Sequence, residues 1–286
     1  MSGRAIFVLG LQRSGTTWAG NLLAAHPDTA AATDPRHRGI HESVFFSHFA
    51  RAWDWSDPRA RAEAARAFAG SHYGRLIGAD ADAMTAAPDA ARAFAGAMDA
   101  YAARRGAGHW VEKSPHHTRL ALEIARALPR ARFLCVTRGS GALVLSRLSA
   151  YGRRPATGLA RAVAVARGAA SNRLHARTMA ALAKACPERV HRLSYEALRA
   201  DPEGTMAAAL GALGLAPCPG LVSQFAANSS FDGGARPVPT PADRVALALG
   251  EALGRALPRA VLAAPRHPDF PHWVWPDPVP ATEARP

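Results

Sequence analysis

Arg13-Ser14-Gly15-Thr16-Thr17-Trp18 follows the apolar run Ala5-Ile6-Phe7-Val8-Leu9 and a short turn opened by Gly10. Hydroxyls, a guanidinium and two glycines in that order suit the capture of a phosphate-like anion. A buried strand feeding a glycine-bounded turn and then a helix aims backbone N–H groups and the positive helix end at one point. Arg13 adds a full charge. A nucleoside triphosphatase loop reads G-x-x-x-x-G-K-[ST], with its lysine reaching the terminal phosphates and its hydroxyl holding magnesium. Here Thr16 stands in the lysine's place and the basic residue comes three positions earlier, so the anion is gripped by another route.

A second constellation lies farther along. Arg132-Phe133-Leu134-Cys135-Val136-Thr137 reads as a buried strand. Arg138 closes it, and Ser146 follows eight residues later in the helical stretch Ala142 to Leu148. A guanidinium fork at a strand end and a hydroxyl two turns into the next helix can both reach one dianionic phosphate. With these two elements the chain resembles the sulfotransferases that use 3′-phosphoadenosine 5′-phosphosulfate (PAPS). Their first signature is a strand followed by [KR]-S-G-T-T-[WL], and their second is a strand, an arginine and a serine eight residues on. The Asp-Pro usual after that arginine is Gly139-Ser140 here. Trp110-Val111-Glu112-Lys113-Ser114-Pro115-His116-His117 is similar to the family's E-K-[ST]-P segment, and Ser194-Tyr195-Glu196-Ala197-Leu198 to its Y-E-x-L segment. The resemblance spans roughly residues 4 to 215.

The resemblance implies a three-layer α/β/α fold with a central parallel sheet, like that of P-loop-containing nucleoside triphosphate hydrolases. It implies a sulfuryl transfer from PAPS to a hydroxyl or amine, leaving 3′,5′-bisphosphoadenosine, with no metal required. Arg13, Ser14, Gly15, Thr16, Thr17 and Trp18 then fall in the donor-binding loop, Arg138 and Ser146 match the 3′-phosphate ligands, and Tyr195 joins the donor side. The segment matching 228–240 closes over the donor in the family, which makes Arg236 a candidate phosphate contact. Such a transfer is in-line and loose, and is catalysed by positioning and charge. A cation aimed at the departing 5′-phosphate therefore stabilises the transition state more than the ground state. Arg13 is that cation by position, acting electrostatically because arginine does not give up its proton at neutral pH. Lys113 is the second cation. For the general base, Glu42 in Ile40-His41-Glu42-Ser43-Val44-Phe45-Phe46 resembles a family glutamate that precedes aromatic residues. His41 is the runner-up, since an imidazole titrates nearer neutral pH. His116 and His117 are further candidates for the acceptor pocket.

The elements that must position these residues follow from periodicity. Strands are expected at 4–9, 109–112, 132–137 and 189–194. Helices are expected at 15–25, 59–69, 86–104, 117–128, 140–150, 157–185, 203–213 and 241–256, with a less regular stretch over 28–60. Strands alternating with helices imply parallel pairing. At 286 residues and 49% hydrophobic content, one domain over residues 1–286 is expected, with about 265–286 as an extended tail. The formal charge of +13 comes from a chain in which Lys113 and Lys184 are the only lysines. That arginine and alanine skew is of a bacterial, GC-rich kind, and the charge is scattered, which points away from a nucleic-acid partner. Cys135, Cys186 and Cys218 have no paired spacing and suit reduced thiols in a cytoplasmic protein. No stretch reaches the length of a membrane span.

Plainer readings exist for several of these residues. Glu42 beside Val44, Phe45 and Phe46 also has the look of a helix-start carboxylate next to core aromatics. Lys113 is also readable as a surface charge, His116 and His117 as loop residues, Tyr195 as core, and Trp18 as packing for the cradle. Two other classes share parts of the pattern. A P-loop kinase would need the missing lysine and a strand-end acid, and a non-catalytic nucleotide or nucleic-acid binder would have no use for Glu42. The acceptor, whether small molecule, carbohydrate or lipid, is not written in these motifs.

Overall fold

The computed structural model describes residues 4–148, 157–225, 238–262 and 270–275. Five parallel strands form the central sheet in the order β2-β5-β1-β6-β7: β1 (Arg4–Leu9), β2 (Thr29–Ala31), β5 (His109–Lys113), β6 (Arg132–Thr137) and β7 (Val190–Ser194). A two-stranded antiparallel hairpin, β3 (Thr33–Asp34) and β4 (Gly39–Ile40), stands beside it. The helices are α1 (Thr16–Ala24), α2 (Ala50–Ala52), α3 (Pro58–Gly70), α4 (His72–Leu76), α5 (Ala81–Ala86), α6 (Ala90–Arg104) and α7 (Ala121–Ala127). They continue as α8 (Ser140–Leu148), α9 (Gly158–Ala185), α10 (Tyr195–Ala200), α11 (Pro202–Leu213) and α12 (Pro241–Ala256).

Alternation along the strands builds the layers. Phe7 and Leu9 of β1 face a core shared with Trp110, Phe133, Phe45, Phe94 and Met179, whereas Ile6 and Val8 face one shared with Leu23, Leu134, Leu198 and Leu210. The first core lies under α3, α6, α7 and α9, the second under α1, α10 and α11, which is a three-layer α/β/α arrangement. Strands this short and buried on both faces read as continuous apolar runs, as β1 and β6 do.

The expected strands and helices are present, with boundaries shifted by a few residues. The irregular stretch 28–60 instead contains β2, the β3–β4 hairpin and a π-helical turn over Phe45–Phe49. Strands of two and three residues carry too little alternation to be seen in sequence. Pro115 opens a 3₁₀ turn through Leu120, so α7 begins only at Ala121. Helix α10, directly after β7, is a further addition. Helix α12 lies against α9 at close range. A Cβ on Gly250 would come within 2.2 Å of the Ala166 carbonyl oxygen, and one on Gly254 within 2.7 Å of the Ala170 oxygen. The bidentate pair Arg161–Asp243 and a capping box at Thr240 fix its start. Arg236 and the tail beyond Trp275 lie outside the described residues.

Candidate active site

Parallel strands put all their C-terminal ends on one edge of the sheet, and the candidate residues gather there. Gly10 to Gly15 follows β1, Lys113 ends β5, Arg138 follows β6 and Tyr195 follows β7. The loop after β1 is held from several sides. The Gly10 N–H donates to Thr118 Oγ1 at 2.8 Å, and the same hydroxyl donates back to the Gly10 carbonyl. Ser14 is buried and its Oγ donates to the Leu11 carbonyl at 2.6 Å, so it shapes the loop. Arg13 takes φ +77° and Gly15 φ +95°, both in the left-handed region. A side chain at Gly15 would put its Cβ 2.5 Å from Tyr195 Cδ2. Tyr195 thus packs directly on the turn, with its ring centre 6.0 Å from that of Trp18 in an edge-to-face arrangement. Helix α1 begins with neither a capping side chain nor an acidic residue in its first turn. Its first N–H groups and its dipole are therefore suited to an anion.

The second anion-binding group meets the first. Arg13 Nε donates to Ser146 Oγ at 3.1 Å, and Arg138 Nη1 donates to the Arg13 carbonyl at 2.9 Å. The Arg138 guanidinium lies 4.0 Å over the Tyr195 ring. The turn carrying it is braced by Asn172, which donates to the Arg138 carbonyl, and by Glu196, which accepts the Gly139 N–H at 3.0 Å. Sequence reasoning brought together Arg13, Arg138, Ser146 and Tyr195, but not Thr118, Asn172 or the bracing role of Glu196. Those are single polar residues in helices and turns, without a motif of their own.

Glu42 and Lys113 form the other half. Lys113 Nζ donates to Glu42 Oε1 at 2.7 Å, with the lysine side chain 3% exposed and the glutamate 20%. Glu42 Oε2 has no hydrogen-bond partner among the described residues. Both line a cavity of about 610 Å³ with Gln12 and Thr17 of the loop after β1, Arg36, His37, Arg38 and Ile40 of the hairpin, and His272 and Trp273. The reach of Glu42 into this cavity depends on a buried network beneath it. The Glu112 carboxylate is wholly buried and accepts from Ser43, Ser114 and His117. His117 Nε2 accepts the Phe46 N–H at 3.1 Å, so its proton sits on Nδ1 and points to Glu112. Burial alone would raise the Glu112 pKa, but the His117 ring and the two hydroxyls outweigh it and hold the carboxyl below its ordinary range. Ser114 Oγ also accepts the Val44 N–H, which holds Val44 at φ +45°, a strained conformation for a β-branched residue.

The histidines are distributed differently from their sequence proximity. His41 is buried, its Nδ1 lies 3.0 Å from the Glu42 carbonyl oxygen and its Nε2 3.1 Å from His72 Nδ1. Loss of solvent pushes its pKa down to about 3. His116 contacts Gln12 at 3.5 Å, and burial lowers its pKa as well. His117 serves the Glu112 network, and neither it nor His116 lines the cavity of Glu42. Cys135 is fully buried and its thiol is pushed up to about 12 by loss of solvent. All three cysteines are free thiols. Among the described residues, no helix is long and apolar enough to cross a membrane.

Comparison with known proteins agrees with this fold. Its fold is similar to that of a sulfotransferase from Alicyclobacillus acidocaldarius (17% identity, TM-score 0.55, covering 89% of this chain and 93% of that one). It is also similar to the sulfotransferase domain of the Synechococcus PCC 7002 olefin synthase (18% identity, TM-score 0.53, covering 90% and 98%). A third likeness is to the sulfotransferase domain of the curacin biosynthetic pathway (16% identity, TM-score 0.50, covering 77% and 76%). A search of curated proteins found no match. The sequence profile of the sulfotransferase family matches residues 5–218, a span that contains the loop after β1, the Glu42–Lys113 pair, Arg138, Ser146 and Tyr195. On that match, carried through the whole sheet and its site edge, the chain belongs to the sulfotransferase family.

Proposed function

We propose that the protein is a PAPS-dependent sulfotransferase in which Glu42 is the general base and Lys113 the cation beside it. The observation that carries this reading is the Glu42–Lys113 pair at 2.7 Å in a cavity whose wall includes Gln12 and Thr17 of the anion-binding loop. The residues fit a donor with two anionic ends. Backbone N–H groups at the start of α1, with Arg13, Thr16 and Thr17, would hold the 5′ end, and Arg138 with Ser146 the 3′-phosphate. The bound donor supplies the sulfuryl group and a bisphosphorylated adenosine as leaving group.

The protein's own part is charge and position. Glu42 Oε2 takes the proton of the acceptor hydroxyl or amine as the new bond to sulfur forms. Lys113 holds the other carboxylate oxygen and brings a compact positive charge to the point where negative charge builds up on the departing oxygen. Arg13 ties the loop to Ser146, so the two anion pockets are set at a fixed spacing before ligand arrives. His41 is a poor base in this setting, because its ring nitrogens face Glu42 and His72 and its proton affinity is far below neutral. The acceptor enters past Arg36, His37, Arg38 and Trp273, a wall suited to a polar or aromatic small molecule.

The test is binding and transfer without metal. The protein should be stabilised by 3′,5′-bisphosphoadenosine in the presence of EDTA and should move label from labelled PAPS onto members of an acceptor panel. Stabilisation by Mg-ATP in preference to the bisphosphate would overturn the reading in favour of a kinase.

A further inference from the structure

His37, His41 and His72 come together from positions that no sequence motif connects. His37 ends the turn between β3 and β4, His41 follows β4, and His72 opens α4. One ring nitrogen from each lies within 4.8 Å of the other two. His41 Nε2 and His72 Nδ1 are 3.1 Å apart, and the His37 and His41 ring centres are 3.8 Å apart. We propose that these three histidines form a binding site for a divalent transition-metal ion of the zinc class, set in the wall of the cavity that contains Glu42.

The hydrogen bonds around the rings point to a cation at their centre. His41 Nδ1 faces the Glu42 carbonyl oxygen at 3.0 Å, an acceptor only, so the ring carries its proton there and presents Nε2 as a lone pair. His72 Nε2 lies 2.9 Å from Asp34 Oδ2, an acceptor, and 2.7 Å from Arg36 Nη2, a donor; when it donates to Asp34, the ring turns a lone pair on Nδ1 toward His41. In that tautomer two imidazole lone pairs converge at 3.1 Å, and a proton or a metal ion between them relieves their repulsion. A second proton on His72 is one candidate. It would make the ring a cation 2.7 Å from Arg36 Nη2, with the Asp34 carboxylate shared between the two charges. A metal ion leaves His72 with the single proton that Asp34 accepts, and the Arg36 side chain, 68% exposed, has room to withdraw.

The spacing fits. Tetrahedral zinc with Zn–N bonds of about 2.0–2.1 Å places its nitrogen ligands about 3.3 Å from one another. The His41–His72 pair is already near that separation, and His37, partly exposed at the hairpin turn, needs only a modest ring movement. A carboxylate or a carbonyl on the second ring nitrogen is the usual support of a metal-bound histidine, and here Asp34 and the Glu42 carbonyl supply one each. Three imidazoles leave a fourth position for water. Imidazole donors suit zinc, copper and nickel and do not suit magnesium or calcium. The ion would act on the reaction only through the wall: it fixes His41, whose Nδ1–H holds the backbone of Glu42. Sulfuryl transfer itself asks nothing of it.

Cobalt titration of the full chain, stripped with EDTA and dialysed, tests the site without donor or acceptor. The wild type should take up one Co²⁺ per chain with visible absorption of tetrahedral intensity, Zn²⁺ should displace it, and stoichiometric Zn²⁺ should raise Tm by several degrees. His37→Ala and His72→Ala should each weaken uptake by more than about tenfold, with far-UV circular dichroism reporting whether each variant is folded. His37 lies on a surface turn, so its variant is the safer of the two. No cobalt band and no zinc shift in the wild type would overturn the site, as would full uptake by both folded variants. Because 3′,5′-bisphosphoadenosine binding is measured in EDTA, the two readings fail separately: cobalt uptake without bisphosphate binding removes the donor assignment, and the reverse removes the metal.

Discussion

At the scale of single residues, the proposed catalysis centres on Glu42, a carboxylate whose one oxygen is held by Lys113 and whose other has no partner among the described residues. Glu42→Gln keeps the size and the acceptor oxygen for Lys113 but cannot take a proton. Turnover should fall by about 10²–10⁴-fold, while the affinity for 3′,5′-bisphosphoadenosine, measured by calorimetry, stays as in the wild type. Normal turnover in that variant would remove Glu42 as base without touching the family. Arg138→Ala removes a charge-assisted contact at the proposed 3′-phosphate pocket. Bisphosphate affinity should drop by about 10- to 100-fold, as expected for a hydrogen bond to a charged group. Arg13→Ala should abolish transfer, since it removes both the loop's charge and its bond to Ser146.

At the scale of elements, the site depends on two supports that contribute no group to the cavity. The first is the Glu112 network, which joins the end of β5 to the segment 43–46 through Ser43, Ser114 and His117 and holds Val44 in its strained conformation. Glu112→Ala leaves His117 Nδ1–H and two hydroxyls without their acceptor. Each donor left unsatisfied in the interior should cost about 1–3 kcal/mol, readable as a shift of the urea midpoint. The second support is the contact of α12 with α9. At Gly250 any Cβ would collide with the Ala166 carbonyl, so Gly250→Leu must push the helices apart. Overpacking of this kind costs about 1–3 kcal/mol, and the loss should appear in Tm with the donor pocket intact.

At the scale of the whole molecule, stability should fall with acid, beginning well above the carboxylate range. His175 is buried, and loss of solvent lowers its pKa from 6.5 to about 4. Between those values the unfolded chain takes a proton that the folded chain refuses. The contribution of His175 is thus complete above about pH 6.5 and is lost as pH falls toward 4. Glu112, also held below its unfolded value, adds a second loss as pH drops below the ordinary glutamate value of 4.5. Tm in EDTA should therefore decline steadily from pH 7 to pH 4, and His175→Asn should flatten the upper part of that decline. A Tm independent of pH over this range would show that the buried groups do not govern acid stability.

Much of the fold and half of the site were legible in the residues, for a physical reason. Buried parallel strands must be apolar throughout, and an anion-binding turn must carry glycines and hydroxyls at fixed spacing, so β1, β6, Arg13 to Trp18, Arg138 and Ser146 are visible in a one-dimensional pattern. The short strands β2, β3 and β4 have no such pattern, because their length is below any periodicity and their place is decided by β5 and α1. What only the tertiary structure decided is which polar residues meet. Glu42 with Lys113, Ser43 with Glu112, and His41 with His72 are each pairings across strands and loops, made by the fold and not by spacing along the chain. Sequence alone fixes what each side chain can donate or accept. Contact fixes which of those capacities is used, because a hydrogen bond or a metal bond acts over about 3 Å or less, and the chain brings residues that close only when it is folded.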